Sequence, residues 1–365
     1  MKDTMEEKNA ETICLVSPSL KVGGIERALV VLANEFAARG LKVSFVSCLS
    51  GEHFYQLDES ITLIEPKFRR SASKLNKLVF YPRMLGFIRR QVNKINPDVL
   101  LAFGDWFSPL VLLALYGTQY PVFISDRTSP DYKFSFPIPL LKRWLYPSSA
   151  GFIAQTQRAA DYKRKKFGSK LNTHVIPNAI REVKSFPEVK REKIILYVGR
   201  FAWEKGPEQL IRAFAAIDNR EGWELHMAGS GPLLETMKNL TRQLMIENEV
   251  SFLGKVDDVD RLFALSSIYV LPSVLEGFPN SLCEAMAAGL PVVCFDSIPW
   301  EEILEPEKSG LVVKNKDISQ LTETLQELIN NSDLRERLGQ NAITIKDRLS
   351  ANMIGGKILE FIQSV

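Results

Sequence analysis

The feature that most constrains this chain is a repeated alternation of short apolar runs with longer amphipathic stretches. The apolar runs in the first half fall at residues 13–17, 43–47, 61–64, 99–103, 122–125, 151–154 and 174–176. Those in the second half fall at residues 194–199, 225–228, 250–253, 267–271, 290–295 and 310–313. Strands that are separated by helices are joined by crossover connections and therefore pair in parallel. The pattern predicts an α/β protein whose ligands bind at the carboxyl ends of its strands.

Two such series in 365 residues indicate two domains, because this length exceeds one ordinary hydrophobic core. A charged stretch flanked by prolines separates the series and is typical of a linker. The predicted division is residues 1–180, a linker at 181–192, a second domain at 193–345 and a C-terminal helix at 346–365. The two parts differ in charge, since residues 1–180 carry 25 Lys+Arg against 15 Asp+Glu and the remainder carries 21 against 28.

Composition narrows the class of protein. The chain is 45% hydrophobic and 24% charged, which is typical of a globular protein. No run reaches the roughly 18 apolar residues of a membrane span, since the apolar stretch at 99–115 is interrupted by Asp105. The polar N-terminus predicts no signal peptide. The four cysteines lack the spacing of a metal site, so we expect buried free thiols in a reducing cytosol.

One stretch, residues 273–288, carries two glutamates around a Gly-Phe-Pro-Asn-Ser turn. Ser281 and Glu284 have the spacing of a capping box, which predicts a helix that begins at Ser281. The amide groups of Asn280, Ser281 and Leu282 would then be free to bind an anion such as a phosphate. The alternative is that Glu284 is only a helix cap and Glu276 only an acidic loop residue.

Two further turns follow the ends of predicted strands. Arg200 and Lys205 lie between the strand at 194–199 and a helix that begins at Pro207, where two cations can hold a diphosphate. Gly23 and Gly24 lack the G-x-G-x-x-G spacing of a dinucleotide site. They suit either close backbone approach to a ligand or a tight turn.

Two acidic motifs have more than one interpretation. Asp258-Val259-Asp260 has the spacing of a metal-binding D-x-D motif. Its position at the start of a predicted helix favours a role as a helix N-cap. Asp126 and Arg127 follow the strand at 122–125, where they could face a reacting group or could pair with each other. Both readings of this second motif stay open.

A basic segment occupies residues 67–94, between Glu65 and Asp98, and contains no acidic residue. Its cations alternate with apolar and aromatic residues, and exposed aromatics among cations suit an anionic membrane surface. Lys142, Arg143 and the basic run at 163–166 are expected to extend this face. The alternatives are a solvated helix whose apolar side is core, or a nucleic-acid surface, for which no reading module is recognisable.

Together these motifs resemble the retaining glycosyltransferases of family 4, which have the GT-B fold. The resemblance spans nearly the whole chain. It rests on G-G-I-E-R at 23–27, G-R-F-A-W-E-K-G at 199–206, A-G-S-G-P at 228–232, F-L-G-K-V at 252–256 and E-G-F-P-N-S-L-C-E at 276–284. It implies two Rossmann-like, doubly wound domains that face a cleft, with the C-terminal helix crossing back to the first domain.

The resemblance also implies roles for individual residues. Arg200 and Lys205 would bind the diphosphate of a nucleotide sugar and stabilise the charge on the departing nucleotide. Glu276 would contact hydroxyls of the donor sugar, and Glu284 would contact the ribose. The remaining donor-binding residues would be Gly23, Gly24, Gly277, Phe278, Pro279, Asn280 and Ser281, with Val256, Asp126 and Arg127 as further candidates. No metal or other cofactor is expected.

One departure concerns Arg127, which stands where several relatives carry a histidine that faces the sugar. For the acceptor, the resemblance favours a polyprenyl-diphosphate-linked intermediate of bacterial surface glycan synthesis, with a UDP-sugar as donor. The protein would then be cytoplasmic and peripheral on the inner face of the membrane, and it would bind no nucleic acid. The alternatives are a transferase for a small soluble acceptor and a catalytically weak, nucleotide-binding partner subunit. A UDP-sugar 2-epimerase is disfavoured because the chain has only three histidines.

Overall fold

The computed structural model describes residues 10–21, 23–51, 53–68 and 74–365, with the side chains of 74–78 outside the description. It divides into two compact units. The first runs to Ala179 and includes Leu349–Val365, and the second spans Ile180–Arg348.

The first unit is an α/β unit built on one parallel sheet. In chain order its elements before the second unit are β1 (Thr12–Ser17), α1 (Gly24–Ala38), β2 (Lys42–Ser47), β3 (Thr62–Ile64), α2 (Lys74–Ile95), β4 (Val99–Phe103), α3 (Ser108–Ala114), β5 (Val122–Ser125), α4 (Ile138–Leu145), β6 (Gly151–Ala154), α5 (Gln157–Phe167) and β7 (Thr173–Val175). The strand order is β3-β2-β1-β4-β5-β6-β7. The central strands β1 and β4 are almost wholly buried because helices cover both faces of a parallel sheet.

The second unit repeats this architecture. Its elements are β8 (Ile194–Val198), α6 (Pro207–Ala215), β9 (Glu224–Ala228), α7 (Leu234–Gln243), β10 (Val250–Gly254), α8 (Val259–Leu265), β11 (Ile268–Leu271), α9 (Asn280–Ala287), β12 (Val292–Phe295), β13 (Leu311–Val313), α10 (Ile318–Asn330), α11 (Ser332–Ala342) and α12 (Ile345–Arg348). The strand order is β10-β9-β8-β11-β12-β13, and every pairing is parallel. The order reverses between β8 and β11, which is where ligands bind in such sheets.

The last helix, α13 (Ala351–Gln363), belongs to the first unit although it follows the second in sequence. Its Phe361 ring stacks on His174 at a centroid distance of 4.1 Å and packs edge-on against Phe123 at 5.2 Å. Gly355 lies against the Glu35 side chain of α1, where a Cβ at Gly355 would come within 2.7 Å of Cγ. The expected return of the C-terminal helix to the first domain is therefore confirmed.

The basic segment at 67–94 includes a helix with a buried apolar side. Phe80 and Phe87 of α2 are buried in the core, and Phe68 packs against both rings at 5.9 Å. The expectation of exposed aromatics is wrong for these residues, because helical periodicity turns them to the sheet. Arg83 and Arg90 remain exposed. Arg69 and Arg70 and the side chains of Lys74 and Lys77 lie outside the described residues.

Within the described part of the chain, none of the helices combines the length and the apolar character that crossing a membrane requires.

Candidate functional site

Two loops of the second unit meet at the carboxyl ends of β8 and β11. The amides of Val274 and Leu275 both donate to the carbonyl of Glu204, at 2.9 and 3.2 Å. Gly206 makes this approach possible, because its φ is +62° and a Cβ there would lie 1.9 Å from the Pro272 carbonyl oxygen. The β8–α6 turn and the β11–α9 loop (residues 272–279) therefore form one surface.

Lys205 and Glu276 are the side chains that this junction brings together. The Lys205 Nζ lies 2.5 Å from the Glu276 Oε1, and the Ser273 hydroxyl donates to the same oxygen at 2.8 Å. The Glu276 side chain is 9% exposed and that of Lys205 is 25% exposed. The carboxylate is thus held by two donors at the surface of the site. Ser273 received no role from the sequence, although it lies three residues before Glu276.

Arg200 lies at the beginning of the same turn. Its guanidinium pairs with Glu204 and is 63% exposed, so it remains accessible to an anion. The Tyr197 hydroxyl donates to the Arg200 carbonyl at 2.9 Å and fixes the backbone of the turn. Two cations, Arg200 and Lys205, therefore lie on one turn before the N-terminus of α6, as the sequence predicts.

Helix α9 begins one residue earlier than the sequence predicts. Its N-cap is Pro279, and no side chain caps it. The capping box is therefore wrong. The amides of Asn280 and Leu282 donate to the carbonyls of Phe278 and Pro279, at 3.0 and 3.1 Å, so the expectation that they are free is also wrong.

Glu284 lies one turn into α9 and is 3% exposed. Its Oε2 is 3.6 Å from the Arg181 Nη2, and Arg181 also forms a two-pronged pair with Asp260 of α8. Sequence reasoning missed Arg181, because a lone arginine in a charged linker carries no local signal.

Asp258 caps α8 by accepting from the Arg261 amide at 3.1 Å, which confirms capping for the D-x-D motif.

The other predicted residues of this unit lie around the same loop. Phe278 is 5% exposed and packs inward, while Gly277 is half-buried at the loop surface. Val256 is half-buried just after β10. Among the described residues, no group of three or more His, Cys, Asp or Glu is placed to hold a metal ion.

In the first unit, Gly23 and Gly24 lie at the start of α1. The Tyr55 hydroxyl donates to the Gly23 carbonyl at 3.1 Å. Glu26 accepts from the Ser19 hydroxyl at 3.0 Å, and burial raises the pKa of this carboxyl group. Glu26 and Tyr55 were not singled out by the sequence, although Glu26 stands within the G-G-I-E-R motif.

Asp126 lies in a buried ionic cluster of the first unit. It pairs with Lys163, with Lys142 at 2.9 Å and with the Tyr146 hydroxyl at 2.5 Å, and Lys142 also pairs with Asp105 at 2.7 Å. Burial alone would raise the pKa of Asp126, but the charges of Lys163 and Lys142 hold it well below its usual value. Pairing between Asp126 and Arg127 is therefore wrong, and so is the assignment of Lys142 and Lys163 to an exposed basic face.

The Arg127 side chain lies outside the ionic cluster around Asp126. Its guanidinium lies 3.6 Å above the Phe103 ring and hydrogen-bonds to Asn178, whose side-chain oxygen also accepts from Gln155 at 2.7 Å. The Arg127 and Thr128 amides both donate to Asp105, at 2.9 and 3.0 Å. Burial lowers the pKa of Arg127 from its ordinary value. The loop after β5 is thus anchored by Asp105.

Comparison with known families agrees with this architecture. Residues 22–182 match the model described as Glycosyltransferase Family 4, and residues 179–344 match the model described as Glycosyl transferases group 1. The two models together span residues 22–344. The chain belongs to glycosyltransferase family 4. It is accordingly a glycosyltransferase, and its fold is GT-B.

Individual proteins resemble this family-4 glycosyltransferase over most of its length. An uncharacterized glycosyltransferase of Haemophilus influenzae is 28% identical over 323 residues, which cover 86% of this chain and 88% of that protein. The GalNAc-alpha-(1->4)-GalNAc-alpha-(1->3)-diNAcBac-PP-undecaprenol alpha-1,4-N-acetyl-D-galactosaminyltransferase of Campylobacter jejuni is 26% identical over 339 residues, 90% of this chain and 92% of that protein. Anabaena Alr3699/HepE in complex with UDP and glucose superposes with a TM-score of 0.82 at 19% identity, covering 97% of this chain and 100% of that one.

Proposed function

We propose that this enzyme transfers a hexose or N-acetylhexosamine from a UDP-sugar, with retention at the anomeric carbon, to a lipid-linked glycan of surface polysaccharide synthesis. The observation that carries the proposal is the junction of Arg200, Lys205 and Glu276 at the ends of β8 and β11. Two cations beside one held carboxylate suit a diphosphate next to sugar hydroxyls. The UDP in the Anabaena structure and the PP-undecaprenol in the Campylobacter enzyme's name support the donor and acceptor classes.

In the proposed reaction the acceptor hydroxyl oxygen forms a bond to the anomeric carbon on the face from which the diphosphate leaves. The bond between the anomeric carbon and the diphosphate oxygen breaks, and UDP leaves with the electron pair, gaining a negative charge until it takes up the acceptor's proton. Lys205 and Arg200 stabilise that charge, which grows as the bond lengthens. Glu276 accepts hydrogen bonds from the donor sugar, and Lys205 with Ser273 keeps its carboxylate in place. We expect no metal to be needed for this charge stabilisation, because Arg200 and Lys205 would supply positive charge at the diphosphate.

The donor class is tested by calorimetric titration of the full chain with UDP, GDP and ADP. We expect UDP to bind more tightly than GDP or ADP. A screen of UDP-sugars for donor hydrolysis then identifies the sugar. Absence of binding by all three nucleotides would contradict the proposal. Tight UDP binding without hydrolysis of any UDP-sugar would favour the partner-subunit alternative.

The acceptor proposal includes contact with an anionic membrane, and the apolar side chains of α4 and its neighbours support it. Phe136, Leu140, Trp144 and Tyr116 are 82%, 57%, 59% and 54% exposed, and the Tyr116 and Trp144 rings lie 5.5 Å apart. We call this set the α4 face. An exposed cluster of this kind marks an interaction surface, and Trp and Tyr are suited to the lipid headgroup level.

The charge around the α4 face favours an anionic partner. Residues 132–160 contain no Asp or Glu, whereas Lys133 and Arg143 are exposed. An open depression of about 480 Å³ is lined by Tyr81 of α2, Trp106, Leu110, Pro137 and Ile138, of which Pro137 follows Phe136 in sequence. Arg89 of α2 is held by the carbonyls of Ala114 and Tyr116, so it anchors the end of α3. Membrane contact through 67–94 itself stays a prediction.

Replacing both Leu140 and Trp144 by Glu should weaken binding to vesicles of phosphatidylcholine and phosphatidylglycerol by about tenfold or more, because two apolar contacts are lost and two like charges are added. Flotation measures the bound fraction. Met245→Glu is the matched control, since Met245 is 85% exposed on the second unit. Equal flotation of wild type and double variant would show that the α4 face does not contact the membrane.

A further inference from the structure

Arg181 is the first charged residue of the second unit, and it lies in the segment that the sequence predicts to be a linker. Its guanidinium forms a two-pronged contact with the Asp260 carboxylate, one bond being 2.8 Å from Nη1 to Oδ2. The same group reaches Glu284, with Nη2 at 3.6 Å from Oε2. One side chain therefore bridges the linker, α8 and α9.

We propose that Arg181 is a positioning residue that holds the Glu284 carboxylate oriented toward the two hydroxyls of a nucleotide ribose. This inference rests on the proposed function, in which Glu284 contacts the ribose. It adds a residue that lies outside the family motifs quoted above, and it gives the interdomain segment a part in recognition of the donor.

Burial makes a counter-charge necessary. Glu284 is 3% exposed, and an isolated carboxylate at such a position is costly to keep charged. A carboxylate has two acceptor oxygens and can therefore take a hydrogen bond from each hydroxyl of a vicinal diol. Arg181 supplies the positive charge and, through its planar fork, a fixed direction.

Asp260 fixes Arg181 in turn. Asp260 is 5% exposed and accepts from the Lys184 amide at 3.0 Å as well as from the guanidinium. Arg181 is thus held by Asp260 of α8 and by the Glu182 carbonyl, and the Nη2 that donates to Asp260 also lies near Glu284 of α9. This geometry keeps the contact with Glu284 in place before any ligand binds, which lowers the cost of ordering the site.

The test compares UDP with 2′,3′-dideoxy-UDP by calorimetric titration of the full chain. In the wild type the missing hydroxyls should weaken binding by about tenfold or more, the scale of hydrogen bonds to a charged group. In Arg181→Met this preference for UDP should shrink to about twofold or less. Arg181→Lys keeps the charge but cannot bridge both carboxylates, so its preference should fall between the two. Adding Arg181→Met to Glu284→Gln should change the ratio of the two affinities only slightly, because the Arg181 and Glu284 side chains act together.

Arg191→Met is the matched control. Arg191 donates to the carbonyls of Ala288 and Gly289 at the opposite end of α9, at 3.0 and 3.1 Å. Its loss should leave the ratio of the two affinities unchanged. If Arg181→Met kept the wild-type ratio, the inference would be overturned while the ribose role of Glu284 stood. If the wild type itself showed no preference for UDP, both the ribose role and the inference would fall.

Discussion

Lys205→Ala should lower the turnover number for sugar transfer by about 100-fold or more, the scale expected when one electrostatic stabiliser of a leaving group is removed. The structure adds a second reason. Lys205 also holds the Glu276 carboxylate at 2.5 Å, so its loss leaves that group with Ser273 as its remaining donor among the contacts described. Turnover is measured under donor saturation with the UDP-sugar that the hydrolysis screen selects.

A matched control separates this effect from a general loss of positive charge. Lys238 pairs with Glu235 at 2.8 Å on the exposed side of α7, and Lys238→Ala should leave the turnover number within about twofold of the wild type. UDP binding should weaken in Lys205→Ala and stay unchanged in Lys238→Ala. Near-normal turnover in Lys205→Ala would refute the assigned role of Lys205 at the diphosphate.

Asp126→Asn should destabilise the first unit by about 3–5 kcal/mol, the cost of leaving a buried charge without its partner. Lys163 is 7% exposed, and Asp126 is its one carboxylate partner among the described residues. Lys142 still pairs with Asp105 in this variant, so most of the lost free energy of unfolding comes from the unpaired charge of Lys163. Hydrogen exchange of peptides from β5 and β6 should accelerate by about 100-fold or more, whereas peptides from β8 in the second unit should be unaffected.

The matched control for this variant is Asp131→Asn. Asp131 pairs with Arg158, but both side chains are more than half exposed, so the loss should be about 1 kcal/mol or less. Equal exchange in the two variants would contradict the structural importance of the buried cluster. If Asp126→Asn lost sugar transfer without any change in hydrogen exchange, the result would instead indicate that Asp126 faces the reacting group.

Much of the fold could be predicted because its signal is local. Strands that are buried on both faces read as short apolar runs, and runs such as 99–103 and 122–125 coincide with β4 and β5. The turn with Arg200 and Lys205 and the loop with Glu276 could be placed at neighbouring strand ends for the same reason. Parallel topology brings the carboxyl ends of β8 and β11 to one edge, so residues 71 positions apart meet there.

The sequence by itself therefore determined the two Rossmann-like units, the family and the edge of the sheet at which the candidate donor residues meet. The tertiary structure alone decided which charges are paired and which side chains are exposed. Lys142 in a basic run is buried against two aspartates, while Trp144 two residues later is exposed. Arg181 meets Glu284 from 103 positions away. Such contacts depend on packing between distant segments, and neither composition nor periodicity encodes the partner of a charge.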